Sequence, residues 1–285
     1  MRPAYSAVFS DTGLVIVDPL DKVGVINPDW AWGGSSGAGV KVAVVDSGID
    51  ATHPDVGPVQ GYVAIREDEN GELVYDTEPH DDSFGHATAC ASVIRSLAPD
   101  CELYSVKVLG GGATCTGKVF TAGLRWAIDN GMQACNLSLG TTKREFYGLI
   151  HELADRAYFS NVVLVTAANN MPIPSFPSVY SSVISVAAHS VHDPYTFYYN
   201  PKPPVEFGAL GIDVRMAWLD HKHITATGNS YAAPHVTGLV TQILAKHPEM
   251  TVFQLKTILR ELAANVDRTG IHPAPPLSGE GLVGQ

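Results

Sequence analysis

Five short apolar runs decide what this chain can fold into. They lie at residues 40–45, 103–109, 134–139, 162–166 and 183–187, and they are rich in β-branched side chains with few polar interruptions. A strand covered on one face alternates apolar and polar residues, whereas a near-continuous run reads as a strand covered on both faces. Segments with helical spacing of apolar residues alternate with these runs or follow them, near 87–97, 117–129, 144–158, 230–246 and 252–265. This order predicts a three-layer α/β fold with a mainly parallel central sheet flanked by helices. In such a sheet ligands bind beyond the carboxyl ends of the strands. Polar residues just after the apolar runs are therefore the first candidates for chemistry.

The rest of the chain narrows the choice. Residues 1–38 read as an N-terminal extension and linker, with a short strand at 14–17 and a turn-dense stretch at 27–37, ahead of a folded domain at 39–285. Eighteen Lys and Arg face 29 Asp and Glu, a formal net charge of −11. With no basic cluster, such a surface repels phosphate, so nucleic acid is excluded as a partner. No apolar run approaches the length that crosses a bilayer, so no membrane association is expected. The four cysteines at 90, 101, 115 and 135 form no CxxC pair. They allow two disulfides in three connectivities, but a chain of this size needs no staples. With no apolar signal core at the first residues, free thiols in a reducing, cytoplasmic compartment are expected. The acidic stretch 66–82 reads as a solvated loop with a hairpin at Glu69-Asn70-Gly71-Glu72.

Three segments carry candidate chemistry. Lys41-Val-Ala-Val-Val-Asp46-Ser47-Gly48 is a buried strand ending in an acid and a tight turn. In Asp81-Asp82-Ser83-Phe84-Gly85-His86-Ala87-Thr88 a histidine opens a helix of small residues. In Gly228-Asn229-Ser230-Tyr231-Ala232-Ala233-Pro234-His235 a serine opens another. A serine hydroxyl is a poor nucleophile at neutral pH, and histidine has the intrinsic pKa to take its proton. A buried carboxylate can fix the imidazole tautomer and stabilise its cation. Singly, each residue reads more simply as a turn residue, a satisfied polar group or a helix cap.

Together the three segments resemble the motifs of the subtilisin-like serine proteases, the subtilases: Asp-Thr/Ser-Gly, Gly-His-Gly-Thr and Gly-Thr-Ser-Met-Ala-x-Pro-His, in that order. The resemblance runs from about Gly39 to Val283. It implies a serine endopeptidase with Ser230 as nucleophile, His86 as base and Asp46 as its orienting acid. Thr166-Ala167-Ala168-Asn169-Asn170 matches the family's Ala-Ala-Gly-Asn stretch, which implies Asn170 as oxyanion donor, with Asn169 replacing the glycine. Ser138, Leu139 and Gly140 match the strand that pairs with substrate backbone. Gly110, Gly111 and Gly112 match the opposite edge of the cleft, so that an extended peptide is held as an added strand.

The departures set further expectations. Ala87, Asn229 and Tyr231 replace Gly, Thr and Met, adding volume near the site and pointing to a narrower cleft or slower turnover. The stretch between His86 and Ala98-Pro99 is several residues shorter than in the best-known secreted members, where that loop holds calcium. No metal site or cofactor is expected, calcium alone remaining open. Asn170 to Phe176-Pro177 is short as well, giving the specificity pocket a different rim. His221 and His223 read as a solvated loop rather than a metal pair, and Trp30 and Trp32 as packing anchors. Most secreted members carry a long pro-segment. Its removal, or an enzyme that folds without one, are the two readings, the second fitting an intracellular or dedicated processing protease within a longer protein. Peptide or protein substrates are the implied partners. The rivals are a catalytically weak peptide-binding module and an esterase or acyltransferase on the same fold.

Overall fold

The structure, a computed structural model, describes residues 26–266. A nine-stranded sheet organises it. In chain order the elements are α1 (Pro28–Ala31), β1 (Lys41–Asp46), β2 (Gly61–Glu67), β3 (Leu73–Asp76), α2 (His86–Leu97), β4 (Glu102–Lys107), α3 (Gly117–Asp129), β5 (Ala134–Leu137), α4 (Tyr147–Phe159), β6 (Val163–Ala167), β7 (Ile184–His189), β8 (Phe197–Tyr199), β9 (Phe207–Leu210), β10 (Val214–Trp218), β11 (Lys222–Ala226), α5 (Asn229–Lys246) and α6 (Val252–Leu262). The sheet order is β3-β2-β4-β1-β5-β6-β7-β9-β8. The strands from β2 to β9 pair in parallel, and only the edge strands β3 and β8 are antiparallel.

The unbroken apolar runs follow from cover on both faces. In β1, Val42 and Val44 belong to a core shared with α2, α5 and α6. Their neighbours Ala43 and Val45 belong to a second core with α3 and α4. Burying one such side chain stabilises by about 1.5–3 kcal/mol, so a polar residue on either face of β1 is costly. All five expected strands and all five expected helices are present, with ends shifted by a few residues. The predicted hairpin joins β2 to β3 as an antiparallel pair, closed by Asp68 N–H donating to Glu72 O at 2.9 Å.

Several features differ from the sequence reading, which did not expect β8 and β9. Residues 28–31 form a short helix rather than a linker, capped by Asn27, whose side chain accepts from Trp30 N–H. Ala31 and Trp32 lie in the main core, and Trp30 packs on His247 with ring centroids 4.4 Å apart. The antiparallel pair β10–β11 was not foreseen; it puts His221 in its turn and His223 on β11, both exposed as expected but each with a side-chain partner. His223 Nε2 bonds Asp55 at 2.6 Å, and His221 Nε2 bonds Thr52 at 2.9 Å. The expected strand at 14–17 and the family's final strand near Gly279–Val283 lie outside the described residues. Among the described residues, no helix is long and apolar enough to cross a membrane.

Candidate active site

Asp46 is the last residue of β1 and is fully buried. Leaving such a charge unpaired costs several kcal/mol. Two donors offset that cost: Ser47 N–H reaches Oδ1 at 2.8 Å, and His86 Nδ1 reaches Oδ2 at 2.8 Å. A carboxylate only accepts, so Nδ1 carries the imidazole proton and Nε2 is bare. Burial pushes the pKa of His86 down, but the charge and hydrogen bond of Asp46, with a smaller effect from Asp82, outweigh it. The net result lies above the ordinary imidazole value.

His86 opens α2 because the turn before it is tightly held. Gly85 has φ 102°, and a Cβ there would come within 2.7 Å of the Trp218 ring. Only glycine meets both demands. Asp82, which sequence reasoning gave no role, anchors this turn. Its Oδ1 accepts from the N–H groups of Phe84 and Gly85 at 2.9 and 2.7 Å, and its Oδ2 accepts from the N–H and hydroxyl of Thr88 at 2.9 and 2.7 Å. The signal was present in the sequence as an acid four residues before the histidine. Ala87, in place of glycine, is fully buried, with its N–H on Ser47 Oγ at 3.1 Å.

Ser230 is the second residue of α5, so its N–H has no acceptor within the helix. The starts of α2 and α5 abut. Cys90, one turn beyond His86, donates to Ser230 O at 3.6 Å, and the Tyr231 ring lies 5.5 Å from the imidazole. The Ser230 hydroxyl donates to the carbonyl of Ser138 at 3.2 Å, so it must rotate to offer its proton to Nε2. Beneath it runs a buried chain. Thr237 Oγ1 donates to Asn136 Oδ1 at 3.0 Å, Asn136 Nδ2 to Ser138 Oγ at 3.0 Å, and Ser138 Oγ to Ser230 O at 2.7 Å.

Asn170 follows the end of β6. Its Oδ1 accepts from Asn229 N–H at 2.9 Å, which turns its NH₂ group away from α5's first N–H. Asn169 instead turns its side chain to Met171 N–H at 2.8 Å. A cavity of about 170 Å³ opens here, lined by Ser138, Leu139, Gly140, residues 167–170, Ser175 and Ser230. Gly140 is required by close approach, since a Cβ would meet Phe176 O at 2.8 Å. A second cavity of about 210 Å³ joins the same strand edge to the facing one. Its far wall is Leu109 and residues 113–117 rather than Gly110, Gly111 and Gly112. Those glycines form a turn closed by Ala113 N–H donating to Gly110 O at 2.9 Å. The side chain of Asn229 points to the strand ends rather than narrowing the cleft, whereas Tyr231 does stand against His86.

The four cysteines are free thiols, Cys90 on α2, Cys135 on β5 and Cys101 and Cys115 in loops, and only Cys115 is exposed. Among the described residues, Asp46, His86 and Cys90 are the one trio of potential metal ligands whose donor atoms converge, within 4.8 Å. Two of its members already bond each other, and the third is a buried thiol held protonated, burial pushing its pKa well up. The donor set therefore suits proton transfer rather than a cation.

Comparison with known proteins places this geometry in context. The subtilase family profile matches residues 37–274. Subtilisin DY of Bacillus licheniformis is 31% identical over 248 residues, covering 82% of this chain and 86% of that protein. Subtilisin Savinase of Lederbergia lenta is 30% identical, covering 88% and 90%. The minor extracellular protease Epr of Bacillus subtilis is 30% identical over 84% of this chain, which spans only 37% of that longer protein. Among solved structures, a cold adapted subtilisin-like serine proteinase superposes with a TM-score of 0.65 at 22% identity, over 80% of this chain and 83% of that one.

Proposed function

The chain belongs to the subtilase family and is a serine endopeptidase, a hydrolase of peptide bonds; we propose that it works through an acyl-enzyme formed on Ser230. The observation that carries this reading is the Asp46–His86 pair. A buried carboxylate holds the imidazole proton on Nδ1 and leaves Nε2 bare beside the start of the helix that bears Ser230. His86 takes the hydroxyl proton as Ser230 Oγ attacks the scissile carbonyl carbon, then returns it to the leaving amine. Asp46 stabilises the imidazolium between these steps. The developing oxyanion is met by Ser230 N–H and Asn170 Nδ2, donors aimed at charge that exists only in the transition state. Water then hydrolyses the ester.

Substrate lies extended between the edge at Ser138, Leu139 and Gly140 and the edge that begins at Leu109, as a strand added to both. The side chain before the scissile bond enters the cavity of about 170 Å³, whose lining is uncharged. No organic cofactor enters any step.

Ser230→Ala tests this reading. It should abolish peptide hydrolysis and labelling by a fluorophosphonate while leaving the melting temperature and peptide affinity nearly unchanged. In subtilisin itself, loss of the serine costs roughly 10⁶-fold in turnover. Purified Ser230→Ala protein that keeps a tenth of the wild-type rate would refute the assignment.

A further inference from the structure

Asn229 stands where the family pattern has threonine, immediately before the nucleophile, and its side chain makes three hydrogen bonds. Nδ2 donates to the carbonyls of Ala168 at 3.2 Å and Asn169 at 3.0 Å, and Oδ1 accepts from Ala188 N–H at 2.8 Å. Its backbone N–H donates to Asn170 Oδ1 at 2.9 Å. The residue thus ties the start of α5 to the segment that leaves β6 and to β7. A threonine hydroxyl has one proton and can satisfy only one of the two carbonyls. A carboxamide, with two donors and an acceptor, matches all three groups.

The two oxyanion donors come from different elements. Ser230 N–H belongs to α5, whereas Asn170 sits on an irregular segment followed by the exposed Met171 and Ile173. Both donors must stand about 2.7–3.1 Å from one oxygen. Displacement of a reacting partner by about 1 Å can cost on the order of 10²-fold in rate. Something must hold the two elements in register.

We propose that Asn229 is a positioning residue for the oxyanion donor. Its main-chain N–H grips the carbonyl end of Asn170, and its carboxamide braces Ala168 and Asn169, so that Asn170 Nδ2 stands in a set place relative to Ser230 N–H. This rests on the reading of Asn170 as an oxyanion donor, and the experiment separates the two.

The test is a double-mutant cycle of Asn229→Ala and Asn170→Ala on a tetrapeptide p-nitroanilide, with kcat, KM and melting temperature measured for each protein. Asn229→Ala should lower kcat about 10- to 100-fold with KM nearly unchanged. In the Asn170→Ala background the same change should lower kcat less than about threefold, because no donor is left to aim. The loss in melting temperature should be equal in both backgrounds, since the bonds to Ala168, Asn169 and Ala188 are present in each. An undiminished kcat loss in the double variant would make Asn229 a purely structural residue and overturn the proposal. Full turnover in Asn170→Ala alone would instead overturn the donor reading beneath it. Should Asn229→Ala fail to fold, Asn229→Thr carries the same cycle, with a smaller kcat loss that again vanishes without Asn170.

Discussion

At the scale of the residue, hydrogen-bond partners separate two equally buried groups beside His86. Asp46 is as buried as Cys90, and its carboxylate is held by two donors. The Cys90 thiol has only weak partners, the Ser138 hydroxyl at 3.5 Å and the Ser230 carbonyl at 3.6 Å. Burial, and then the Asp46 charge, push its pKa well up, so it is no nucleophile at neutral pH. It is packed as a small hydrophobe directly beneath His86. A bulky mercurial bound there has no room except by moving the imidazole. Cys90→Val should therefore keep its activity and resist p-chloromercuribenzoate, whereas Cys115→Ser, altered at the exposed thiol, should stay sensitive. Inhibition time courses of the two variants side by side decide it. Equal sensitivity of Cys90→Val and wild type would mean that modification acts elsewhere.

At the scale of the element, α5 contains a proline in its second turn, and the site is built around the consequence. Pro234 lies four residues after Ser230 and has no N–H, so the Ser230 carbonyl has lost its helical donor. The Ser138 hydroxyl replaces it at 2.7 Å and is itself oriented by Asn136 and Thr237. Removing that donor leaves a buried carbonyl short of a strong partner, at a cost of about 1–3 kcal/mol. Ser138→Ala should lower both the melting temperature and kcat. Pro234→Ala supplies an N–H to the same carbonyl and should return part of both losses when added to Ser138→Ala. Thermal melts and steady-state rates of the pair and the double variant measure this. A double variant no better than Ser138→Ala would show that the hydroxyl does something other than replace the missing donor.

At the scale of the whole molecule, no three acidic side chains among the described residues converge on one point. On the β2–β3 hairpin, Asp68 spends one carboxylate oxygen on the N–H groups of Asn70 and Glu72, at 2.9 and 2.8 Å. That satisfies the turn and pulls the pKa of Asp68 down. Stability is therefore expected to be independent of calcium. An ion held at a hundred times its Kd adds about 2.7 kcal/mol, and each kcal/mol moves the melting temperature of a domain this size by roughly 2–4 °C. EDTA should produce no such shift. A fall of several degrees, reversed by calcium, would reveal a site that the hairpin acids or other residues supply.

The sequence by itself determined the layers of this fold and pointed to the reacting groups proposed above. Period and burial are local properties: a run such as residues 40–45 is apolar at every position because both faces of β1 are covered, and that can be read without coordinates. The motif residues Asp46, His86, Asn170 and Ser230 were legible for a similar reason, since each follows a strand or opens a helix within a short and distinctive string. What only the tertiary structure decided are the relations between segments remote in the chain. Asn229 bonds residues some 40 and 60 positions away, and Ser138 reaches Ser230 across 92 positions. Asp82, His221 and His223 also acquire partners only when loops meet. The pairing of β10 with β11 went unseen because β11 reads KHITA, polar enough to pass for loop, which left the mostly apolar VRMAW of β10 without a visible partner. Hydrogen bonds between side chains carry no periodicity, so no local pattern announces them, and they form only where the backbone has already brought donor and acceptor to within about 3 Å.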